Sequence, residues 1–482
     1  PCVTGKSLTA WFLARALGSK RIVIAVPSLS LVKQTLKVWS RESAANDIDV
    51  DWICVCSDET AGRVEQDDAA IKVKDLGVPC LTSPDEIAKW LKTERKGLTV
   101  VFTTYQSGQV LATAARKAKF AFDLGIMDEA HKTVGDGDKL FSHLIHDHNI
   151  EIRQRVFMTA TERRFSGSSD KILSMDDPEV YGETFHLLTF KKAMEVIEGE
   201  RPILCDYNVI TIGVSRHEVK ELIQKNLFVR PASGKWDEEM EADMLAAMVA
   251  LRKAMKEYPI KHAVSFHGSI KRSEQFREYN DSFTAEFPAF GQLFTFHVSG
   301  QTPTGTRSNI IKQFAKADRA LVTNARCLTE GVDVPSIDCV LFADPKKSKV
   351  DIVQALGRAL RKKEGKEWGY VVLPVIYNAV SHEIDNENFQ EILSVVRGLA
   401  SNDERIVDYF KDQADPKKAT KKSDQQFQLQ VLTEFMDEME LSSQLHIRLW
   451  DHLSRFSWMP FEEARAIVNE MGITSSSHFK KA

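Results

Sequence analysis

Five short runs dominated by Val, Ile and Leu recur along the first part of the chain: RIVIAVPS, VDWICVCS, LTVVFTTY, LGIMDEAH and QRVFMTAT. Each is apolar throughout rather than alternating, the pattern of a strand covered on both faces, and amphipathic stretches of helical period separate them. That order predicts a parallel sheet in an α/β domain. The pattern lapses between Ser166 and Pro202 and resumes with YNVITIGV, HAVSFHGS, FTFHVSG, RALVTNA, DCVLFADP and GYVVLPV. Two successive α/β domains with a border near residue 200 account for both halves. From Val395 onward strand signals disappear. KDQADPKKATKKSDQQ is polar enough for a linker, and QLQVLTEFMDEMELSSQLHIRLWDHLSRF carries apolar residues at helical spacing. A last helix is expected to start at Pro460 and stop at Gly472. The expected division is residues 1–200, 201–395, and a linker with a helical accessory module over 396–482.

Bulk properties narrow this picture only slightly. With 482 residues, 43% of them hydrophobic, the chain can bury two or three separate cores. Its formal net charge of -4 advertises no polyanion partner, so a nucleic-acid surface would have to be a local basic one. The seven cysteines (Cys2, Cys54, Cys56, Cys80, Cys205, Cys327 and Cys339) are odd in number and scattered. They read as buried thiols of an intracellular protein, cytoplasmic or, in a eukaryote, nuclear, rather than as disulfides or a zinc site. No stretch is long and apolar enough to span a bilayer, so no membrane role is expected. The chain opens without Met and inside a motif, and we expect a segment ahead of Pro1.

That motif is Thr4-Gly5-Lys6-Ser7, a loop feeding directly into LTAWFLARAL. Backbone N–H groups at a helix start can hold a phosphate, with Lys6 reaching the β and γ oxygens and Ser7 ligating Mg²⁺. Alone, so short a string is equally an exposed loop before a helix. In LGIMDEAHK an apolar strand delivers Asp128 and Glu129 to its C-terminal end, the edge where open α/β sheets bind ligands. Asp128 there suits the Mg²⁺ shell, Glu129 suits a base for an attacking water, and His131 connects the pair to its neighbours. The alternative is a helix start favouring acids. QRVFMTATERR ends in Thr159-Ala160-Thr161, small groups suited to relaying a change between ligands, or simply a polar strand end. DIVQALGRALRKK places Gln354, Arg358 and Arg361 within two helical turns, so both guanidinium groups can face one side and meet a transferring phosphate, unless this is a solvated basic face. Upstream, Gly331 and Asp333 lie at a strand-to-helix junction where Asp suits a ribose hydroxyl. Each motif has a bland reading, but their order and their positions at strand ends would all have to be accidental.

In that order the motifs resemble those of superfamily 2 helicases and translocases, DEAH-carrying motors, over roughly residues 1–375. The resemblance implies two tandem RecA-like domains with ATP between them. It also implies that Gly5 to Ser7, Asp128 to His131, Thr159 to Thr161, Gly331 to Asp333 and Gln354 to Arg361 carry the successive family motifs. The stretches MDEAHKTVG, SMDDPEVYGETFHLLTF, SFHGSIKRSEQF, HVSGQTPTGTRSNIIKQF, NARCLTEGVDVP and DPKKSKVDIVQALGRALRK are similar to the motor parts of single-chain type I-like restriction-modification enzymes. Val3 stands where the family has Gly, and Glu162 where Pro is frequent. No nuclease or methyltransferase motif is present, so such an activity would belong to a fused or partner segment outside this chain.

The resemblance further implies a nucleic-acid strand crossing both domains, held through its phosphates. Candidate contacts are Pro27 and Ser28, Thr103 and Thr104, and His267, Gly268 and Ser269, all small or polar groups at strand ends. Simple strand termination explains each of them as well. The reading is an ATP- and Mg²⁺-dependent DNA helicase or translocase of a defence or repair setting. An RNA helicase and a nucleic-acid-binding scaffold with a weakened ATPase site are the alternatives.

Overall fold

The structure is a computed structural model. It describes residues 5–56, 76–136, 140–162, 172–195, 202–215, 217, 238–286, 291–324, 328, 337–344, 349–363, 365–377, 386–403, 405–406, 409, 429–432 and 449. All eleven apolar runs become strands. The first sheet contains β1 (Arg21–Val26), β2 (Val50–Val55), β3 (Cys80–Leu81), β4 (Leu98–Thr104), β5 (Phe122–Asp128) and β7 (Ile152–Met158), in the order β3-β2-β4-β1-β5-β7. Every pairing in it is parallel. A small antiparallel pair, β6 (Gly135–Asp136) with β8 (Ile172–Leu173), lies apart from it.

Alternation along β1 shows why the runs are apolar throughout. Ile22, Ile24 and Val26 pack with the helices Lys6–Ala16 and Leu29–Ala45, while Val23 and Ala25 pack on the other face with Pro84–Lys92 and Gly108–Ala118. Both sides of the pleat are covered, so neither tolerates polar residues. Because β1 pairs with β4 on one side and β5 on the other, the C-terminal ends at Val26, Thr104 and Asp128 share one edge.

The second sheet contains β9 (Asp206–Ser215), β10 (His262–Phe266), β11 (Phe294–His297), β12 (Ala320–Asn324), β13 (Cys339–Phe342), β14 (Trp368–Tyr377) and β15 (Leu429–Leu432). Their order is β11-β12-β10-β13-β14-β9-β15, again with parallel pairings. Helices Glu238–Glu257 and Ile270–Glu286 cover one face, and Thr304–Lys316, Lys349–Ala359 and Asn386–Ala400 the other. Two parallel-sheet α/β domains are thus present, as the periodicity implied.

The region after Val395 differs from its expectation. The Asn386–Ala400 helix runs through that point, β15 adds a strand beside β9, and Leu449 is buried in the second domain's core. Tyr207 Oη donates to Asp403 at 2.8 Å, and Arg405 pairs with both Asp403 and Asp206. Asp403 and Arg405 thus tie the chain just after Ala400 back onto β9, and the expected linker, residues 411–426, lies outside the described residues. The expected helix between Pro460 and Gly472 lies outside the described residues. Upstream, Phe190 and Ala193 already belong to the second core.

Candidate active site

Gly5 opens the Lys6–Ala16 helix with φ 84° and ψ 22°, a left-handed conformation. Among the described residues no other part of the chain comes within 4 Å of where a Cβ would stand, so glycine is needed for its backbone freedom and not for space. Its carbonyl accepts from Leu8 and Thr9 N–H, both at 2.9 Å. Among the described residues no side chain caps this helix, and its first turn carries no acid, so its positive end suits an external anion. Trp39 Nε1 donates to the Ser7 carbonyl at 3.1 Å and ties the turn to the next helix.

Asp128 ends β5, and Glu129 follows with φ 51° and ψ 44°. Lys6 Nζ is 2.5 Å from Glu129 Oε1 and 3.6 Å from Asp128 Oδ1. His131 Nδ1 stands 3.4 Å from Glu129 Oε2 and 3.0 Å from Thr159 Oγ1. Thr159 donates its own proton to the Thr161 carbonyl at 2.8 Å, so its contact with His131 requires the imidazole Nδ1–H to be the donor. Ala160, between the two threonines, packs against the core of the second domain. Contacts therefore run unbroken from the helix-start lysine through the carboxylates and histidine to a strand end that touches the other domain.

The electrostatics separate the two acids. Burial pushes the Asp128 carboxyl above its ordinary range, against the pull of Lys6. Burial works the same way on Glu129, but Lys6 and then His131 outweigh it and hold that carboxyl below its ordinary range. Glu129 is accordingly the more readily ionised of the two, one carboxylate oxygen facing Lys6 and the other His131.

Other expected residues fall in different places. Gln354 is buried on the Lys349–Ala359 helix, and Arg361 follows it, its backbone bridged to Leu204 and its guanidinium half-buried. Arg358 lies in that helix with its side chain outside the described residues, where Thr4, Gly331 and Asp333 also fall. Ser28 caps the Leu29–Ala45 helix by accepting from Leu31 N–H at 3.4 Å, and Pro27 offers its carbonyl to Gln106. Thr103 donates to Val55, Thr104 to Ser107, and the His267 ring pairs with Ser265 beside Phe276. These three side chains are buried, and only Gly268 and Ser269 of the third cluster are exposed. Asp344 accepts from Gly268 N–H at 2.7 Å and binds Arg272, fixing that turn. Sequence reasoning missed Asp344, Trp39 and Tyr105, whose partners become visible only once strand ends from distant parts of the chain share an edge.

A family model described as "Type III restriction enzyme, res subunit" matches residues 1–164, and one described as "Helicase conserved C-terminal domain" matches residues 246–363. The chain belongs to superfamily 2 of the helicases. It is 26% identical over 420 residues to the "Probable helicase A859L" of African swine fever virus, covering 85% of this chain and 42% of that protein. It is 25% identical over 293 residues to a DNA 3'-5' translocase of Sulfurisphaera tokodaii, covering 56% of this chain and 61% of that protein. Among solved structures, the ATP-dependent Type ISP restriction-modification enzyme LlaBIII bound to DNA superposes with a TM-score of 0.75 at 27% identity. That match covers 94% of this chain and 31% of the enzyme. This superfamily 2 chain thus spans under half of the viral helicase and under a third of the restriction enzyme.

Proposed function

We propose that the chain is an ATP-hydrolysing motor that moves along DNA as a translocase or helicase, in a restriction-type defence or repair setting. The observation that carries this reading is the line from Lys6 through Glu129, His131 and Thr159 to Thr161, which joins a phosphate-binding helix start to the strand end contacting the second domain. A substrate triphosphate fits the uncapped helix start, where Gly5, Lys6 and Ser7 would hold its phosphates. Asp128 and the Ser7 hydroxyl would hold Mg²⁺, which would supply charge neutralisation at the phosphates. Lys6 would then turn from the carboxylates to the phosphates, freeing Glu129 to orient a water and take its proton. Arg358 and Arg361 would supply positive charge from the second domain, and Gly331 and Asp333 would complete the nucleotide site. Thr159, Ala160 and Thr161 would pass the change to the second domain. DNA is favoured as the track because the LlaBIII structure is described as bound to DNA. Strand contacts would come from Ser269 and from main-chain groups near Pro27, Ser28, Thr103, Thr104, His267 and Gly268. A nuclease or methyltransferase would act from outside this chain.

The test measures ATP turnover with no polynucleotide, with DNA and with RNA, in the parent and in Glu129→Gln. The expected result is turnover raised by DNA more than by RNA, and a Glu129→Gln protein that binds ATP but does not hydrolyse it. Unchanged turnover in Glu129→Gln would remove Glu129 from the reaction, and greater stimulation by RNA would overturn the choice of track.

A further inference from the structure

Glu129 holds a left-handed backbone at φ 51°, which disfavours any residue with a Cβ. Its conformation persists because the peptide joining it to Asp128 is gripped at both ends. The N–H of that peptide donates to Asp128 Oδ1 at 2.9 Å, and its carbonyl accepts from the Tyr105 hydroxyl at 2.7 Å. Tyr105 follows β4 directly, is fully buried, and packs its ring 5.8 Å from that of Phe141. A second tie lies just downstream, where Thr133 donates to the Ala130 carbonyl at 2.8 Å and meets Tyr181 Oη at 2.9 Å. If the peptide turned over, Asp128 O would leave Tyr105 and the Glu129 side chain would swing away from Lys6 and His131. A strained backbone residue at a reacting position survives only where its surroundings over-determine it, and here one phenol supplies the constraint on the carbonyl.

We infer that Tyr105 is a positioning residue for hydrolysis: its hydroxyl locks the Asp128–Glu129 peptide in the one orientation that aims the Glu129 carboxylate at Lys6 and His131. This rests on the proposed role of Glu129 as the residue that activates water. Tyr105 also sits next to Thr103 and Thr104 on the strand end, so a displacement of that end by a bound strand would reach the catalytic peptide through a single residue.

Tyr105→Phe tests the inference, because it keeps the ring and deletes only the hydroxyl. Steady-state turnover, the ATP concentration for half-maximal rate and the melting temperature are measured together, alongside Glu129→Gln. The expected result is a turnover number lowered about tenfold or more, the size of effect that one net hydrogen bond carries when it acts on the barrier. The ATP requirement should stay unchanged, and the protein should remain folded at the assay temperature. A lower melting temperature with full turnover would make Tyr105 merely structural and overturn the inference. If Glu129→Gln is inert while Tyr105→Phe turns over normally, only the positioning role fails. If Glu129→Gln itself retains turnover, the reading on which the role rests fails first.

Discussion

Replacing Lys6 with Met keeps a long unbranched side chain at the helix start and removes its charge. The ammonium now stands 2.5 Å from Glu129 and 3.6 Å from Asp128, whose residues are only 9% and 6% exposed. Without it, two adjacent buried carboxylates keep His131 as the facing group. Removing one partner of a buried ion pair costs about 3–5 kcal/mol. A lysine in a first helical turn opposes the helix dipole by about 0.5 kcal/mol, which its loss returns. A net loss of about 2.5–4.5 kcal/mol lowers the melting transition of a domain this size by roughly 5–18 °C. The sign of the pH dependence follows from the two acids. Lys6 holds Glu129 below its ordinary range and restrains Asp128 from rising further, so removing it raises both. The folded variant then binds protons more tightly than the unfolded chain, and its deficit shrinks on acidification from about pH 8 towards about pH 5. Calorimetric melts of parent and Lys6→Met across that window make the measurement. A deficit of equal size at both ends would show that Lys6 acts by packing alone, and no deficit at the alkaline end would refute the ion pair.

Two further expectations concern the second domain and the track. Arg358→Ala or Arg361→Ala should lower turnover by about 10³-fold, as losing an arginine finger does, with little change in melting temperature; normal hydrolysis in both would remove the pair from the reaction. DNA affinity should fall steeply as salt rises and differ little between sequences, because contacts to phosphates release counterions; fluorescence anisotropy showing a flat salt response would contradict backbone tracking.

Most strands were legible because runs such as RIVIAV and CVLF are covered on both faces, and only a parallel sheet asks for that. Asp128 and Glu129 were legible as a site because an apolar run ends on them. The left-handed backbone of Glu129 was not legible, since nothing in a non-glycine residue announces it and the hydroxyl that holds the preceding carbonyl belongs to Tyr105, at the end of β4, with β1 between it and β5. His267 misled as an open polar group: its ring turns inward, 4.7 Å from that of Phe276, a choice made by the helix packed above it. β15 was hidden for a related reason. LQVL reads as part of an amphipathic helical stretch, and only the free edge of β9 makes it a strand.

That edge strand bears on how the protein is made. β9 emerges from the ribosome more than two hundred residues before its partner Leu429–Leu432, and β14, its neighbour on the other side, comes more than a hundred and fifty residues after it. Until β14 is made, β9, an apolar strand of ten residues, has neither flank paired, and one flank stays open until Leu432. Contacts so distant in sequence close slowly, and a strand waiting with open edges invites pairing with other chains. The second domain can therefore complete its sheet only once Leu432 has been made, and a protein released before it would carry a permanently open edge and be prone to aggregate.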